Sequence, residues 1–451
     1  MPIDPVRDAA IDVLLRVFDA RQMHLDASLD KTLRRKNISD RGRRFLTQLV
    51  YGTVRHQLLC DHILRGICTQ PLEKLPLPIH AILRMALFQS LFCDNVTPPA
   101  MVHTSVDLAK KRGHAGTARL VNAILRKAPK DMEAVRLPDP EMKYHRYLSV
   151  RHSIPPWLIT LWEEQFGADQ LETICEIINT PAPTCLRCNT LKEDSAALQE
   201  RLAKSEIITR KSTPIPEELT FVEGKPPLRS KWFQDGYFIM QDPASLLPSH
   251  LLEPRPGERI LDLCAAPGGK STHIAQLANC EAIIAALDSN PRRIAPILEN
   301  RERLGLQNLW PVVGDGAQAP FAPGSFDRVL VDAPCSGLGT LRRHPDLKWR
   351  ITPETIQRLA VLQEQLLRSA IDLCKNGGVI VYSVCTYTRE ETTQITQALL
   401  EEGHVQPEEG PELLNSWKIA QAQYQTNPND AALDGFYLTR FRKVSWAASS
   451  S

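Results

Sequence analysis

Apolar residues recur every three or four positions over the first 130 residues of the chain. Ala9, Val13 and Val17 form one such series, and comparable series follow within 45–54, 82–87 and 120–125. This spacing places the apolar side chains on one face of a helix, so it predicts helices that pack through that face. Prolines such as Pro71 and Pro98 mark the breaks between the helices. The pattern therefore predicts an all-α domain over residues 1–140.

The pattern becomes mixed over residues 141–240. We expect a helical linker here, followed by a small α+β (RRM-like) module with strands within 184–190, 207–212 and 237–241 around a helix at 195–204. Cys185 and Cys188 form a Cys-x-x-Cys pair within this module. Because no second such pair and no histidine pair accompanies them, they are interpreted as ordinary strand cysteines rather than zinc ligands.

From residue 241 to residue 446, strand-like runs alternate with helical runs. Alternation of this kind is typical of a parallel, doubly wound sheet. The predicted fold class is thus α/β, with a Rossmann-like sheet preceded by the small α+β module and the all-α domain. The strands are predicted within 258–264, 282–288, 309–315, 326–334 and 377–386, with long helices at 291–304 and 353–374.

Composition and charge bear on the location and the partner of the protein. The chain of 451 residues contains no apolar run of the ~18 residues that a membrane helix needs. Its 11 scattered cysteines suit reduced thiols, and we expect a cytoplasmic protein. Residues 1–130 hold 21 lysines and arginines against 11 aspartates and glutamates. The basic clusters at 34–36, 41–44 and 110–112 predict a nucleic-acid partner, with a solvated helical surface as the alternative.

The stretch from Leu261 to Thr272, LDLCAAPGGKST, joins a predicted strand to a predicted helix through a glycine turn. Such corners bind anions or cofactors, because glycine lets a ligand approach the backbone at the start of the helix. The corner lacks the first glycine of a P-loop, since Cys264 stands there, and it also lacks the dinucleotide fingerprint. It therefore predicts a bound cofactor that is neither ATP nor NAD. The alternative is a turn that only reverses the chain.

Acidic residues and thiols stand where the later strands end. Asp288, Asp315 and Asp332 each close a strand-like run, and Cys335 and Cys385 follow two such runs that we place side by side. Ligands of open α/β sheets bind at the carboxyl ends of the strands. A single aspartate there would be interpreted as a helix cap, but three in register favour a cofactor that contains a nucleoside.

Two thiols and a carboxylate beside such a cofactor suit the methylation of cytosine at carbon 5. A thiolate that adds to carbon 6 makes carbon 5 nucleophilic, and carbon 5 then accepts a methyl group from a sulfonium donor. Removal of the proton on carbon 5 frees the enzyme. Cysteine suits the first step because a small fraction of it is already thiolate at neutral pH.

Motifs in both halves of the chain resemble known families. SDRGRRFLTQLVYGTVRH at 39–56 and RLVNAILRK at 119–127 resemble the NusB-type RNA-binding domain. ILDLCAAPGGKST, VDAPCSGLGT, RRHPDLKW, YSVCTY and DGFY resemble the successive motifs of the Nol1/Nop2/Sun family, and a NusB-type domain ahead of them is similar to its RsmB (Sun/Fmu) branch. The resemblance implies an S-adenosylmethionine-dependent methyltransferase that modifies carbon 5 of a cytidine in 16S ribosomal RNA.

The resemblance also implies roles for single residues. Cys385 would be the nucleophile, Cys335 would assist product release, and Asp332 would lie beside both the cofactor and the base. Lys270 would orient Asp332, and no metal is implied. The cofactor would contact Cys264, Ala265, Ala266, Pro267, Gly268, Gly269 and Lys270 with its methionine part, Asp288 with its ribose, Asp315 near its adenine, and Asp332.

The RNA would present an unpaired or flipped-out base, because a paired cytosine hides carbons 5 and 6. Arg342, Arg343 and Lys348 follow Cys335 in the sequence and are candidates to grip phosphates, with a solvated loop as the alternative. The aromatic side chains at 232, 233 and 237 are interpreted as core residues rather than as platforms for bases.

Other functions remain open on the sequence. A transfer-RNA methyltransferase would use the same chemistry, although the basic helical domain argues against it. A non-catalytic RNA-binding protein with the same fold would have been favoured by loss of either Cys335 or Cys385. An ATP-dependent RNA enzyme is disfavoured by the incomplete P-loop. We expect a monomer whose partner is 16S ribosomal RNA.

Overall fold

The computed structural model describes residues 3–19 and 23–444 and divides the chain into two units. The first unit consists of Met1–Thr180 and Leu341–Arg350, and the second of Pro181–Thr340 and Ile351–Ser451. Residues 1–2 and 445–446, at the ends of the first and last predicted segments, lie outside the described residues. Within 3–19 and 23–444, no helix has both the length and the apolarity needed to cross a membrane.

The first unit is helical, as the apolar spacing predicts. Asp4 caps the first helix by accepting hydrogen bonds from the N–H groups of Val6 and Arg7. The apolar faces of the helices within residues 5–152 share one core, which includes Leu14 and Val50. The all-α prediction is confirmed. The helices are α1 (Pro5–Phe18), α2 (Leu25–Arg35), α3 (Asp40–Arg55), α4 (Gln57–Ile67), α5 (Leu77–Phe92), α6 (Pro98–Arg112), α7 (Ala115–Leu125), α8 (Tyr144–His152), α9 (Pro156–Phe166) and α10 (Ala168–Ile177).

The second unit begins with a small antiparallel sheet. Its elements are β1 (Cys185–Cys188), α11 (Ser195–Ala203), β2 (Ile207–Arg210), β3 (Glu218–Gly224), α12 (Lys231–Gln234) and β4 (Phe238–Met240). The strand order is β2-β3-β1-β4. On β1, the Cys185 sulfur contacts the hydroxyl of Thr220, whereas the Cys188 sulfur contacts the carbonyl of Glu193. The two thiols thus point to different surroundings, as expected for cysteines three positions apart on a strand.

A nine-stranded sheet forms the rest of the second unit. Its elements are α13 (Leu247–Leu252), β5 (Arg259–Asp262), α14 (Gly269–Leu277), β6 (Ile283–Asp288), α15 (Pro291–Leu304), β7 (Leu309–Val313), β8 (Phe326–Asp332), α16 (Leu347–Arg350, within the first unit), α17 (Pro353–Leu373), β9 (Cys374–Val384), α18 (Thr393–Glu401), β10 (Val405–Pro407), β11 (Lys418–Ala420), β12 (Gln423–Gln425) and β13 (Tyr437–Lys443).

The order of this sheet, β11-β12-β13-β9-β8-β5-β6-β7, contains the parallel part that the sequence predicts. The strands from β5 to β9 pair in parallel, and their residues Ile260, Leu330 and Val381 are fully buried because helices cover both faces. The α/β prediction is confirmed. β13 runs antiparallel to β9 and also pairs with β10 and β12, an extension that the sequence analysis did not predict.

Residues 341–350 pack within the first unit although the sequence on both sides of them belongs to the second. Lys348 is 1% exposed, and its ammonium donates to the carbonyls of Arg55 and Ser153 at 2.9 and 3.0 Å. It also lies 3.3 Å from Asn179 Oδ1. Because Arg55 ends α3, Lys348 satisfies a carbonyl group that has no partner within its own helix. The neighbouring Trp349 packs against the apolar core of the first unit.

Candidate active site

The glycine corner is a tight turn between β5 and α14. Gly268 has a φ of +98°, which strains any residue other than glycine, and a Cβ at this position would also approach a side-chain atom of Ile297 to 3.1 Å. Side chains of Asp288 and Arg293, which follow in the sequence, hold the turn in place. Asp288 Oδ2 accepts the N–H of Ala266 at 3.1 Å, and Arg293 donates to the Ala266 carbonyl at 2.9 Å. The end of β6 thus positions the corner.

A cavity of about 380 Å³ opens against this corner. Small-molecule sites typically have volumes of about 300–1,000 Å³, so this one has the size of a ligand site. Of the residues predicted to hold the cofactor, the walls include Ala265, Ala266, Pro267, Gly269, Lys270 and Asp332. The described residues that line it do not include Cys264, Gly268, Asp288 or Asp315. The structure therefore brings together most of the turn with Lys270 and Asp332 around the cavity, and the other four predicted residues do not line it.

Asp288 and Asp315 stabilise turns at the ends of their strands. Asp288 Oδ1 accepts the N–H of Asn290 at 3.0 Å, and Asp315 caps a short turn by accepting the N–H of Ala317 at 2.9 Å. These are the capping contacts expected of a lone aspartate at a strand end. Asp288 is buried and Asp315 is exposed. Their contacts with a ribose and an adenine stay predictions.

Lys270 and Asp332 form the charged wall of the cavity. Lys270 Nζ donates to Asp332 Oδ2 at 2.6 Å, and the Ser383 hydroxyl donates to Asp332 Oδ1 at 3.0 Å. Burial opposes the charge on Lys270, but Asp332 outweighs this effect and raises the pKa of the ammonium. Nearby, burial raises the pKa of the Asp262 carboxyl group to about 7. Asp262 does not line the cavity, and its Oδ2 accepts the hydroxyl of the buried Ser271 at 2.6 Å.

Cys335 and Cys385 meet at the ends of adjacent strands. β8 pairs with β9 so that Asp332 lies opposite Ser383, and the two cysteine sulfur atoms are 3.2 Å apart. The hydrogen bond with Cys385, together with burial, raises the pKa of the Cys335 thiol well above its ordinary value. Cys335 therefore holds its proton more tightly than an ordinary cysteine does. The Lys270 ammonium is close enough to interact electrostatically with a thiolate at Cys385.

A buried carboxyl group, that of Glu391, holds the loop that carries Cys335. Glu391 is 0% exposed, and its Oε1 accepts the N–H of Ser336 at 2.8 Å and the amide of Gln363 at 3.0 Å. Its Oε2 accepts the hydroxyl of Thr388 at 2.7 Å. Gln363 also donates to the carbonyl of the residue before Cys335 at 2.8 Å. Sequence reasoning missed Glu391, because a glutamate in the polar run TREETTQ carries no distinguishing pattern.

A second clamp joins the Cys335 loop to Cys385 and to the DGFY motif. The Gly339 N–H donates to the Cys385 carbonyl at 3.0 Å, and the Gly435 N–H donates to the Gly339 carbonyl at 2.7 Å. A Cβ on Gly339 would lie 2.1 Å from the Gly435 carbonyl oxygen, so only glycine permits this approach. The next residue, Phe436, places its ring centroid 5.3 Å from the Lys270 ammonium. The motif thus lies against the charged wall.

Lys348 occupies neither of the two positions considered for it, a phosphate contact or a solvated loop. Lys348 and Arg342 are 1% and 7% exposed, and the Lys348 ammonium is enclosed by carbonyl groups of the first unit. A buried ammonium that already has oxygen partners gains nothing by leaving them for a phosphate.

Trp232 and Tyr237 pack edge to face with ring centroids 5.3 Å apart against the small sheet, which supports their interpretation as core residues.

Glu217, His250 and His273 form a group of potential metal ligands among the described residues. The Nε2 atoms of His250 and His273 lie 2.8 and 2.7 Å from Glu217 Oε1. Ligands of one zinc ion would be about 3.3 Å apart, given bonds of about 2.0 Å in a tetrahedral site. Burial opposes ionisation of Glu217, but His273 and His250 outweigh it and lower the pKa of the carboxyl group. We interpret the group as direct polar contacts within the second unit.

The arrangement matches known families along the chain. The family described as 16S rRNA methyltransferase RsmB/F matches residues 249–442, and the NusB family matches residues 4–130. A ferredoxin-like domain described as Methyltr_RsmF/B-like matches residues 154–226. The ribosomal RNA small subunit methyltransferase B of Thermus thermophilus is 34% identical over 443 residues, which cover 97% of this chain and 98% of that protein.

Two solved structures have the same fold. The crystal structure of PH0851 superimposes with a TM-score of 0.79 at 26% identity and covers 98% of this chain and 100% of its own. A methyltransferase homolog protein from Pyrococcus horikoshii gives a TM-score of 0.57 at 28% identity, and the match covers 68% of this chain and 100% of that chain. The similarity to PH0851 therefore extends over nearly the full length of both chains.

Proposed function

Because the chain belongs to the 16S rRNA methyltransferase RsmB/F family, we propose that it transfers a methyl group from S-adenosylmethionine to carbon 5 of a cytidine in 16S ribosomal RNA. The observation that carries this proposal is the pair of cysteine sulfur atoms 3.2 Å apart at the ends of β8 and β9. Methylation at an amino group or a hydroxyl needs no thiol. Methylation at carbon 5 needs one thiol to activate the ring, and a second thiol beside it can help the first to leave.

The cavity at the glycine corner suits S-adenosylmethionine. Its volume of about 380 Å³ and its walls of backbone, apolar and charged groups match those of a small-molecule site. A Cβ on Gly269 would lie 3.3 Å from the Gln241 amide, so glycine keeps this wall open. When bound, the cofactor supplies an electrophilic methyl group. We assign the ribose to Asp288 and the adenine to the surroundings of Asp315.

We assign the role of nucleophile to Cys385. Its sulfur lies 3.2 Å from the Cys335 sulfur, and the Lys270 ammonium is close enough to interact electrostatically with it. Addition of this sulfur to carbon 6 of cytosine breaks the double bond between carbons 5 and 6. The electron pair moves into the ring towards nitrogen 3, and carbon 5 becomes nucleophilic.

We assign the release step to Cys335. After transfer, carbon 5 carries both the methyl group and a proton. A water molecule acting as base takes that proton, the double bond re-forms, and the Cys385 sulfur leaves as a thiolate. The Cys335 thiol is placed to stabilise the departing thiolate through the same 3.2 Å contact. Without it, the adduct would form but would resolve slowly.

Asp332 is proposed to lie beside both the cofactor and the base. Lys270 and Ser383 each hold one of its carboxylate oxygens, so the side chain is fixed before the substrate arrives. Asp332 precedes Cys335 by three residues, which puts it beside the thiols.

The monomeric state and the cytoplasmic location stay predictions, as does the division of the chain into domains at residues 140 and 240.

Substitution of each cysteine separates the two roles. With 16S ribosomal RNA and cofactor carrying a tritiated methyl group, Cys385→Ala should lose transfer to background. Cys335→Ala should instead accumulate a protein–RNA adduct that survives denaturing electrophoresis. Cys68→Ser, which changes a half-buried thiol outside the site, should behave like the wild type. Bisulfite sequencing of the RNA should locate the product at carbon 5 of one cytidine.

The roles would be wrong if Cys385→Ala kept its activity, or if Cys335→Ala gave no RNA-linked band while the wild type was active. Calorimetric titration with S-adenosylmethionine, and with ATP for comparison, tests the cofactor without the RNA. Binding of ATP in its place would contradict the assignment of the cavity.

A further inference from the structure

The first unit uses several of its most obvious cations for internal contacts. Lys36 Nζ lies 2.7 Å from Asp12, and Lys111 Nζ lies 2.9 Å from Asp8. Arg112 contacts both of these aspartates. A cation that already faces a carboxylate adds little to the attraction of a polyanion. Charge clusters in the sequence are therefore a poor guide to where this unit binds a partner.

Four cations from distant parts of the sequence line one cleft on the first unit. Arg65 in the last turn of α4, Lys127 after α7, Arg136 in the following connection and Arg146 on α8 border a cavity of about 670 Å³. All four residues are exposed, and the described residues that line the cleft include no aspartate and no glutamate. Among the described residues, the one ion pair that these four form joins Arg65 to Glu73 at 3.6 Å.

The floor of this cleft is fixed by the fold. Ile63, Ile67 and Val135 contribute apolar surface to it. The His62 ring nitrogen lies 2.8 Å from the Arg136 carbonyl, which ties the connection after α7 to α4. A cleft that exists before binding loses less conformational entropy when a partner enters.

We propose that this cleft binds the phosphate backbone of the substrate RNA, an inference that rests on the proposed function for the identity of the polymer. Arginine presents a planar fork that can bond two phosphate oxygens at once, and three of the four cations are arginines. The first unit contains no described strand whose edge could pair with an extended acidic peptide. Such a surface contacts the regularly spaced phosphates of a nucleic acid and does not distinguish its bases.

Equilibrium binding of fluorescein-labelled 16S ribosomal RNA fragments to the full chain, without cofactor and over a series of KCl concentrations, tests this assignment. The double variant Arg136→Gln/Arg146→Gln should bind at least about 10-fold more weakly at moderate salt. The slope of log Kd against log salt should fall by about 1.5, since each lost phosphate contact contributes about 0.7–0.9. The control Arg34→Gln/Arg35→Gln removes equal charge from exposed positions on α2 and should stay within about twofold of wild type.

The assignment is overturned if the cleft variant binds RNA like the wild type, or if the control loses as much affinity. It is also overturned if polyglutamate competes as well as unlabelled RNA of equal charge, because the cleft would then suit an acidic protein. Unchanged thermal unfolding and cofactor titration of the variants show that the loss of affinity is not a loss of fold. Since the assay contains no methyl transfer, failure of the carbon 5 chemistry would leave its result intact.

Discussion

Replacing Glu391 with alanine is expected to trap the enzyme on its RNA although both cysteines are intact. The change removes the acceptor for the Ser336 N–H, for the Gln363 amide and for the Thr388 hydroxyl, all buried. A buried donor left without a partner costs about 1–3 kcal/mol. Gln363 keeps its second contact at 2.8 Å, so two donors lose their partner, and about 2–6 kcal/mol acts to displace the loop or to destabilise the second unit.

Displacement of the loop that carries Cys335 should slow the release step. Ser336 follows Cys335 directly, so a moved loop withdraws the Cys335 thiol from its 3.2 Å contact with Cys385. A misplacement of about 1 Å can lower a rate by about 100-fold. Cys385 directly follows β9, which the pairing with β8 holds without Glu391, so addition to the base should continue while resolution slows. Glu391→Gln keeps an oxygen acceptor and the shape of the side chain, and it should restore most of the release rate.

A time course of RNA-linked protein on denaturing gels, run beside tritium incorporation, measures the partition between addition and release. Calorimetry gives the cost in stability. The reasoning fails if Glu391→Ala loses stability but accumulates no more adduct than the wild type. It fails equally if Glu391→Gln accumulates as much adduct as the alanine variant, because the acceptor oxygen would then be irrelevant.

Further predictions concern charge and burial. Lys270→Met removes a charged hydrogen bond worth about 1.5–3 kcal/mol and should slow single-turnover transfer by about 10- to 150-fold, with Lys270→Arg less affected. Lys348→Ala leaves three acceptors, one buried and two partly buried, without their donor and should lower the free energy of unfolding of the first unit by about 3 kcal/mol, measured with urea. Burial lowers the pKa of His273 from 6.5 to about 3, so below pH 6.5 the unfolded chain binds a proton that the folded chain does not. Stability should therefore fall on acidification towards pH 3 by up to about 1.4 kcal/mol per pH unit, and the fall should be shallower in His273→Gln; a urea midpoint independent of pH would contradict this.

The parts of the site at the strand ends could be predicted from the sequence. Buried parallel strands are continuous apolar runs, and the residues directly after each run must lie at the same edge of the sheet. The adjacency of Cys335 and Cys385 and the closeness of Asp332 to Lys270 result from this rule. The glycine corner could be predicted because its backbone leaves little choice of residue.

The parts that depend on distant contacts could not be predicted. Nothing local in RRHPDLKWR shows that Lys348 is buried among helices that end some 170 residues earlier. Glu391 is polar in a polar run, and only its partners in three dimensions reveal its burial. The strands β10, β11 and β12 have three residues each, which is too short for an alternating pattern to emerge.

Because residues 341–350 pack within the first unit, that unit cannot be completed during synthesis until these late residues have emerged. The helices α1 to α10 are complete when Thr180 leaves the ribosome, but Leu341 emerges about 160 residues later. At about 5–20 residues per second, the delay is roughly 8–30 s. Throughout it, the carbonyls of Arg55 and Ser153 lack the ammonium that they hold in the finished protein. We expect that a chain released before this point carries an unfinished first unit, which marks it for proteases before it can occupy RNA unproductively.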